Sequence, residues 1–384
     1  MKLKLFILAF TLNLPLFIFS QVDSCSIRIS LLTCTPGAEL YSIFGHSALR
    51  VVDNNTRTDI VYNYGTFDFN DPQFYSKFVR GKLLYYLTQE YFGDFRSDYD
   101  MEGRGIVEQL LNLTCEEKKQ VQQALFLNLQ GNNKYYKYDF LFDNCTTRLR
   151  DLVKSGTNSK FKTGNILPAE KTSFRDLIHY YLNRSKMYWS KLGIDLLLGS
   201  KIDRQITNEE AMFLPDYLEK GFDNSSSSNK NLVTAKNSIL QARTSAITAK
   251  TLLTPPAFMY GLLLVFALIS FFKTSWAKSF LKIGDFMLFL ITGLLGLLMV
   301  FMWIGTDHVF CKNNFNLIWA LPTHAIAAFF INSDKKWNRK YFLATTIINA
   351  LLLISWWILP QELNMAVFPF LLLITWRSWQ RSKA

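Results

Sequence analysis

Histidine and cysteine are both scarce in this chain, four of one and five of the other in 384 residues. No two cysteines stand in a CxxC spacing, and no Cys/His cluster has the spacing of a zinc site. The sequence therefore points to no metal and no cofactor, and each histidine can be weighed singly. Acidic residues are also in deficit, because 42 Lys and Arg against 30 Asp and Glu leave a formal charge of +12. Such an excess invites a nucleic-acid reading, since basic patches bind phosphate backbones. Much of it lies in short breaks between apolar segments near the C-terminal end, where another rule explains it, so nucleic acid is not an expected partner. No internal repeat is visible.

Apolar and aromatic side chains are plentiful, at 49% and 15%, and concentrate at the two ends. "MKLKLFILAFTLNLPLFIFSQ" has two lysines, an apolar core and then Ser20, the layout of a secretory signal over residues 1–20. Ile18 is not the favoured small residue at the minus-three position, which leaves an uncleaved anchor as the alternative. "VDSC" before Cys25 is a poor lipobox. From Pro255 onward, apolar stretches at roughly 257–272, 285–304, 317–332, 341–359 and 364–377 predict about five transmembrane helices in a domain over 255–384. The breaks "KTSWAKSFLK" and "SDKKWNRK" and the tail are basic, whereas "GTDHVFCKNNFN" and "PQELN" are not. The positive-inside rule puts the first set in the cytoplasm and the other two loops outside, with everything before Pro255. The signal peptide demands the same orientation.

Residues 21–220 then form an exported domain, and 221–254, with "DNSSSSNKN" near its start, a polar tether. "SALRVVD" and "DIVYNYGTF" alternate around "NNTRT" as a β-hairpin should. "CEEKKQVQQALFLNLQ" and "TSFRDLIHYYL" have helical periodicity, the second behind a plausible cap. The class is α+β.

The chemistry centres on "KYDFLFDNCTTRLRD". Asp143 and Asn144 are good N-cap residues, and Leu149, Leu152 and Val153 follow at helical spacing, so Cys145 is placed at a helix start. Unpaired N–H groups and the positive dipole end there favour thiolate, the reactive form. A buried, inert thiol is the plain alternative. His46 enters a strand directly after a glycine. His179 reads as a packing or surface residue, His308 lies in an outer loop, and His324 lies in a span, where a polar group is costly. A thiolate and an imidazole that takes and returns its proton are the working parts of thiol acyl transfer. A third group usually orients the imidazole, and "VYNYGTFD" offers Asn63 first and Tyr64 second. Tyr64, Asp143 and Asn144 near the site, and Asp307 and His308 with Asn314 and Asn316 on the outer side, are candidates for substrate contacts. All five cysteines face outside, where disulfides form. If Cys145 is the nucleophile, the other four pair in one of three ways or not at all.

"FGHSALRV", "YNYGTFDF", "RGKLLYYL" and "YDFLFDNCTTRLRD", in that order, resemble the Lnb N-terminal periplasmic domain family of Bacteroidota over most of residues 25–220. "TDHVFCKNNFNLIWALPTH" resembles the C-terminal part of full-length Lnb-type proteins. The resemblance implies a circularly permuted papain-like thiol fold similar to lecithin:retinol acyltransferase, with His46 and Cys145 at the positions of the family's histidine and cysteine. It implies a lipoprotein N-acyltransferase of the bacterial inner membrane, with its catalytic domain in the periplasm. The acyl donor would be a phospholipid and the acceptor the α-amine of a diacylated lipoprotein. Two alternatives remain: a phospholipase or cell-wall hydrolase using the same pair, and a non-enzymatic membrane scaffold.

Overall fold

The computed structural model describes residues 25–157, 161–227, 229–243, 253–333 and 335–383. The expected signal peptide lies outside them. Strand alternation builds the N-terminal half. β1 (Ile27–Cys34), β2 (His46–Asp53) and β3 (Thr58–Thr66) pair antiparallel, with Cys34 opposite His46 and Asp53 opposite Thr58 across the expected hairpin turn. β4 (Leu84–Tyr91) and the short β6 (Tyr135–Lys137) extend the sheet on one side, and β5 (Ile106–Leu111) extends it on the other. Two faces follow from the alternation. Ile29, Leu31, Leu49 and Val51 pack toward α3 (Cys115–Leu129), α4 (Cys145–Gly156) and α8 (Pro215–Asp223). Leu32, Ala48 and Val61 pack against Phe95 of α2 (Phe92–Met101). The short helix α1 (Phe74–Val79) buries none of its residues.

Capping explains where the helices start. Thr114 with Glu117, and Ser173 with Asp176, form reciprocal capping boxes at α3 and at α5 (Phe174–Arg184), both expected helices. α6 (Tyr188–Leu197) and α7 (Asn208–Ala211) complete this half. Cys25 and Cys115 form a disulfide that fastens the chain before β1 to the start of α3, while Cys34 and Cys311 are free and buried.

The stretch expected as a tether is partly folded. β7 (Phe161–Thr163), β8 (Ser225–Ser227) and β9 (Lys230–Asn231) form a second small sheet. β10 (Val233–Leu240) pairs with β5 as the outermost strand of a seven-stranded sheet. Most of its side chains are exposed, and Lys236 binds Glu219 and Asp223. A polar edge strand protects a sheet from further pairing, and that polarity is what made it read as a linker.

The C-terminal half contains α9 (Pro255–Ser270), α10 (Ser275–Ile304), α11 (His324–Ala327), α12 (Lys336–Ile354) and α13 (Val367–Lys383). Among the described residues only α10 is both long and apolar enough to cross a bilayer by itself, and α9 is a shorter apolar helix. The expected helix over 317–332 is not continuous. It is α11 flanked by 3-10 turns at Phe315–Ile318 and Ala328–Phe330. Pro322 cannot extend a helix through its own N–H, and the segment instead lies backbone-close on α10. A Cβ on Gly293 would stand 2.0 Å from Ala325 N, and one on Gly296 2.0 Å from Ala320 O. Small residues at such contacts let irregular segments pack inside a membrane domain. Asp285 of α10 is fully buried and binds Arg377 and Arg381 of α13.

α6 joins the halves. Asn314 Nδ2 donates to Leu196 O at 2.7 Å, Asn316 Nδ2 to Asp195 O at 3.0 Å, and Asn364 Nδ2 to Asp195 Oδ2 at 2.8 Å. Both loops that the charge rule placed outside therefore touch the N-terminal half.

Candidate active site

Asn144 caps α4 and so aims Cys145. Its Oδ1 accepts from the N–H groups of Thr146 and Thr147, both at 2.9 Å, and its Nδ2 donates to Phe140 O and Phe213 O at 2.7 and 2.8 Å. α4 packs on β2 and β3, which brings the helix start to the strand residue His46. Cys145 and His46 face each other closely enough for each to favour the other's charged form. Burial pushes the Cys145 thiol up, but the His46 charge and hydrogen bond, with the N–H groups of Ser47 and Thr146, bring it below its ordinary value. Burial likewise opposes charge on His46, yet Cys145 and Asn63 hold its pKa above the ordinary one. The pair is therefore biased toward thiolate and imidazolium.

Asn63 is the polar residue that meets the imidazole, and its orientation can be assigned from chemistry. Its Nδ2 faces Glu90 Oε1 at 2.6 Å, and an ionised carboxylate accepts only. Its Oδ1 must then face His46 Nε2, at 3.1 Å, so Nε2 carries the proton and donates it. That leaves Nδ1 for the thiol. Glu90 was not singled out from the sequence. It neighbours Asn63 only through the register of β3 and β4, where Asn63 stands opposite Thr88. A cleft of about 330 Å³ opens over His46, Asn63 and Glu90.

Two further features escape a reading of the sequence. Gly65 sits at φ +97° beside a register shift in β3. A Cβ there would lie 3.7 Å from Cys145 Cβ and 4.0 Å from Tyr136 Oη, in a backbone conformation that side chains disfavour. Tyr136 is 6% exposed and its hydroxyl has no hydrogen-bond partner. An unspent donor near Cys145 is unusual, because buried polar groups are nearly always paired. Arg148 covers the Tyr136 ring at 3.6 Å.

Of the other candidates Tyr64 lines the same cleft, and the rest are engaged as follows. Tyr64 turns to the opposite face of β3 from Asn63, packs in the core and accepts a hydrogen bond from Asn128 at 2.7 Å. Asp143 is paired with Arg148 at 2.6 Å, and Asn144 is spent on the cap. Asp307 binds Lys137 at 3.1 Å, and His308 Nε2 donates to the carbonyls of Val79 and Phe78 at 3.1 and 3.3 Å, so both dock one half on the other. Asn314 and Asn316 are buried in the same junction. His179 is the packing residue of the two expected roles, buried with its Nε2 donating to Asp195 at 2.7 Å within a cluster with Arg175 and Asp203. His324 is buried in the membrane half, its Nδ1 accepting from Tyr341 Oη at 2.6 Å.

No curated protein and no solved structure matches this chain. Two family descriptions do match it. Residues 16–184 match the Lnb N-terminal periplasmic domain, and residues 247–382 match the Lnb transmembrane domain. A periplasmic domain and a membrane domain are thus joined in one polypeptide, and the chain belongs to the Lnb-type lipoprotein N-acyltransferase family.

Proposed function

We propose that the protein is a ping-pong lipoprotein N-acyltransferase of the bacterial inner membrane, with Cys145 as nucleophile, His46 as proton carrier and Asn63 as the group that orients it. The observation that carries the reading is Cys145 at the start of α4 facing His46 of β2, which Asn63 backs at 3.1 Å, in a chain of this family. In the first half-reaction the Cys145 thiolate attacks an ester carbonyl of a phospholipid. The tetrahedral intermediate expels the lysophospholipid alkoxide, which takes the proton held by His46, and an acyl thioester remains. In the second, the α-amine of a diacylated lipoprotein attacks the thioester. His46 accepts the amine's proton, the thiolate leaves, and the amide is formed. A free α-amine has a reference pKa of ~7.7–8.0, so a neutral fraction exists near pH 7.

Each intermediate carries an oxyanion. Tyr136, with its unpaired hydroxyl beside Cys145, supplies a donor that is already desolvated and fixed. The order of a histidine strand before a cysteine helix supports a circularly permuted papain-like domain. Five passes are supported by the two outer loops: both touch the N-terminal half, so the broken segment and α12 between them cross as a pair.

The test is transfer in phospholipid vesicles, with a diacylated lipopeptide as acceptor and mass spectrometry of its α-amine. Wild type acylates the amine and Cys145→Ala does not. Lysophospholipid release that depends on Cys145, without peptide acylation, would replace the reading with a phospholipase, and activity retained in Cys145→Ala would end it.

A further inference from the structure

The segment between β3 and β4, residues 67–83, exposes aromatic side chains whose ring contacts are to other rings of the same segment. Phe69 is 71% exposed, Tyr75 82% and Phe78 52%. Clustered exposed rings of this size mark an interaction surface. Their position identifies the partner. Asp307 N–H donates to Arg80 O at 2.9 Å, and His308 donates to the carbonyls just before it. These two residues follow directly on the end of α10 at Ile304, itself 78% exposed. The uncharged run from Phe286 to Ile304 rises ~28 Å at 1.5 Å per residue, which matches a ~30 Å hydrocarbon core. Ile304 is thus at the edge of the bilayer, and α1 is pinned beside it. Lys77, Arg80 and Lys82 flank the rings, as expected of a segment lying among phosphates with its rings in the acyl region.

The same rings continue inward. Phe78 stacks with Phe74 at 6.2 Å between centroids, Phe74 with Phe67 at 5.7 Å, Phe67 meets Tyr85 at 5.1 Å, and Tyr85 stacks on Tyr138 at 4.3 Å. Tyr85, Tyr138 and Cys145 pack against one cluster. Burial, and next the nearby Cys145 charge, hold the Tyr138 phenol protonated.

We propose that residues 67–83 form an aromatic paddle immersed in the outer leaflet of the protein's own membrane, and that the ring track from Phe78 to Tyr138 guides a phospholipid acyl chain to Cys145. The second clause rests on the function proposed above, whereas the first does not.

The full-length protein in phospholipid nanodiscs, carrying a photoreactive benzoylphenylalanine in place of Phe69 or Tyr75, tests the first clause. Tyr91 is the control: it is 66% exposed and lies at the far end of β4, about 23 Å from the membrane-side end at Leu84. Lipid adducts are expected at 69 and 75 in excess over 91, and equal labelling at all three would overturn the paddle. For the second clause, Phe69→Asp with Tyr75→Asp should lower lysophospholipid release roughly tenfold, since charges resist the acyl region. Alkylation of Cys145 by iodoacetamide should keep its wild-type rate, which shows an intact site. Release at the wild-type rate from this variant would overturn the guiding role. If wild-type protein releases no lysophospholipid, the reaction itself fails, and the cross-linking result stands independently.

Discussion

Cys145 and His46 each stabilise the charged form of the other. The thiol is drawn below its ordinary 9.0 and the imidazole above its ordinary 6.5, each by the charge of the other working against burial. Iodoacetamide reactivity of Cys145 should therefore inflect below pH 9.0 in wild type. In His46→Ala burial has lost its main opponent, and the inflection should move above 9.0, a shift read directly from the alkylation profile. Glu90 acts through Asn63. Glu90→Leu frees the amide to rotate and present Nδ2 to the imidazole. The expected result is a roughly tenfold loss in kcat, the scale of one hydrogen bond to a charged group, with an alkaline limb displaced to lower pH. Glu90→Gln retains an acceptor for Nδ2 and should restore most of the loss, whereas a merely structural role would move neither limb. Tyr136→Phe keeps the ring and removes only the hydroxyl. It should slow acyl transfer by ~10²–10³, the usual effect of losing one oxyanion donor, while leaving the alkylation inflection in place. Cys145, His46 and Asn63 were legible in the sequence because each carries its chemistry in its own type. Glu90 and Tyr136 were not, because a glutamate on a strand and one tyrosine among 17 acquire meaning only from strand register and from an unpaired hydroxyl.

At the scale of single elements the nucleophile depends on α4 starting at the right residue. The Asn144 side chain makes five hydrogen bonds, three with Thr146 and Thr147 of the helix and two to the carbonyls of Phe140 and Phe213. Asn144→Ala removes all five and should destabilise the protein by about 2 kcal/mol, the upper end for helix caps. A thermal melt reads that loss, and a rise in the Cys145 alkylation inflection reads the misplaced helix start. The expected hairpin and helices α3, α4 and α5 were found because periodicity and caps are local signals. β10 and the broken segment around α11 were not, for opposite reasons. The first is an edge strand whose exposed polar residues resemble a linker. The second is apolar enough for a span but is held irregular by Pro322 and by the close face of Gly293 and Gly296, which are contacts between distant parts of the chain.

For the whole molecule the question is what keeps the catalytic half in register with the membrane half, since the paddle works only at a fixed height. Covalent connection between β10 and α9 does not set that height. α6 does: Arg175 and Asp195 are each 1% exposed, and Asp195 reaches His179 within its own half and Asn364 across the junction, while its carbonyl takes Asn316. Trp189 adds a hydrogen bond to Leu253 O and a ring contact with Phe258 of α9. A protease site inserted between Arg243 and Leu253 should therefore leave two fragments that still co-elute from detergent after cleavage. Asp195→Asn removes one of the two carboxylates that hold the buried Arg175, Asp203 being the other, a loss of about 3 kcal/mol at the low end for a broken buried pair, and in combination with Asn316→Ala it weakens the contacts that cross the junction. The cleaved double variant should separate into its halves on size exclusion, while the uncleaved double variant should remain a single species with reduced acyl transfer. Separation of the cleaved wild type would instead assign the register to the connecting segment, and co-elution of the cleaved double variant would assign it to the Asp307 and His308 docking at the paddle.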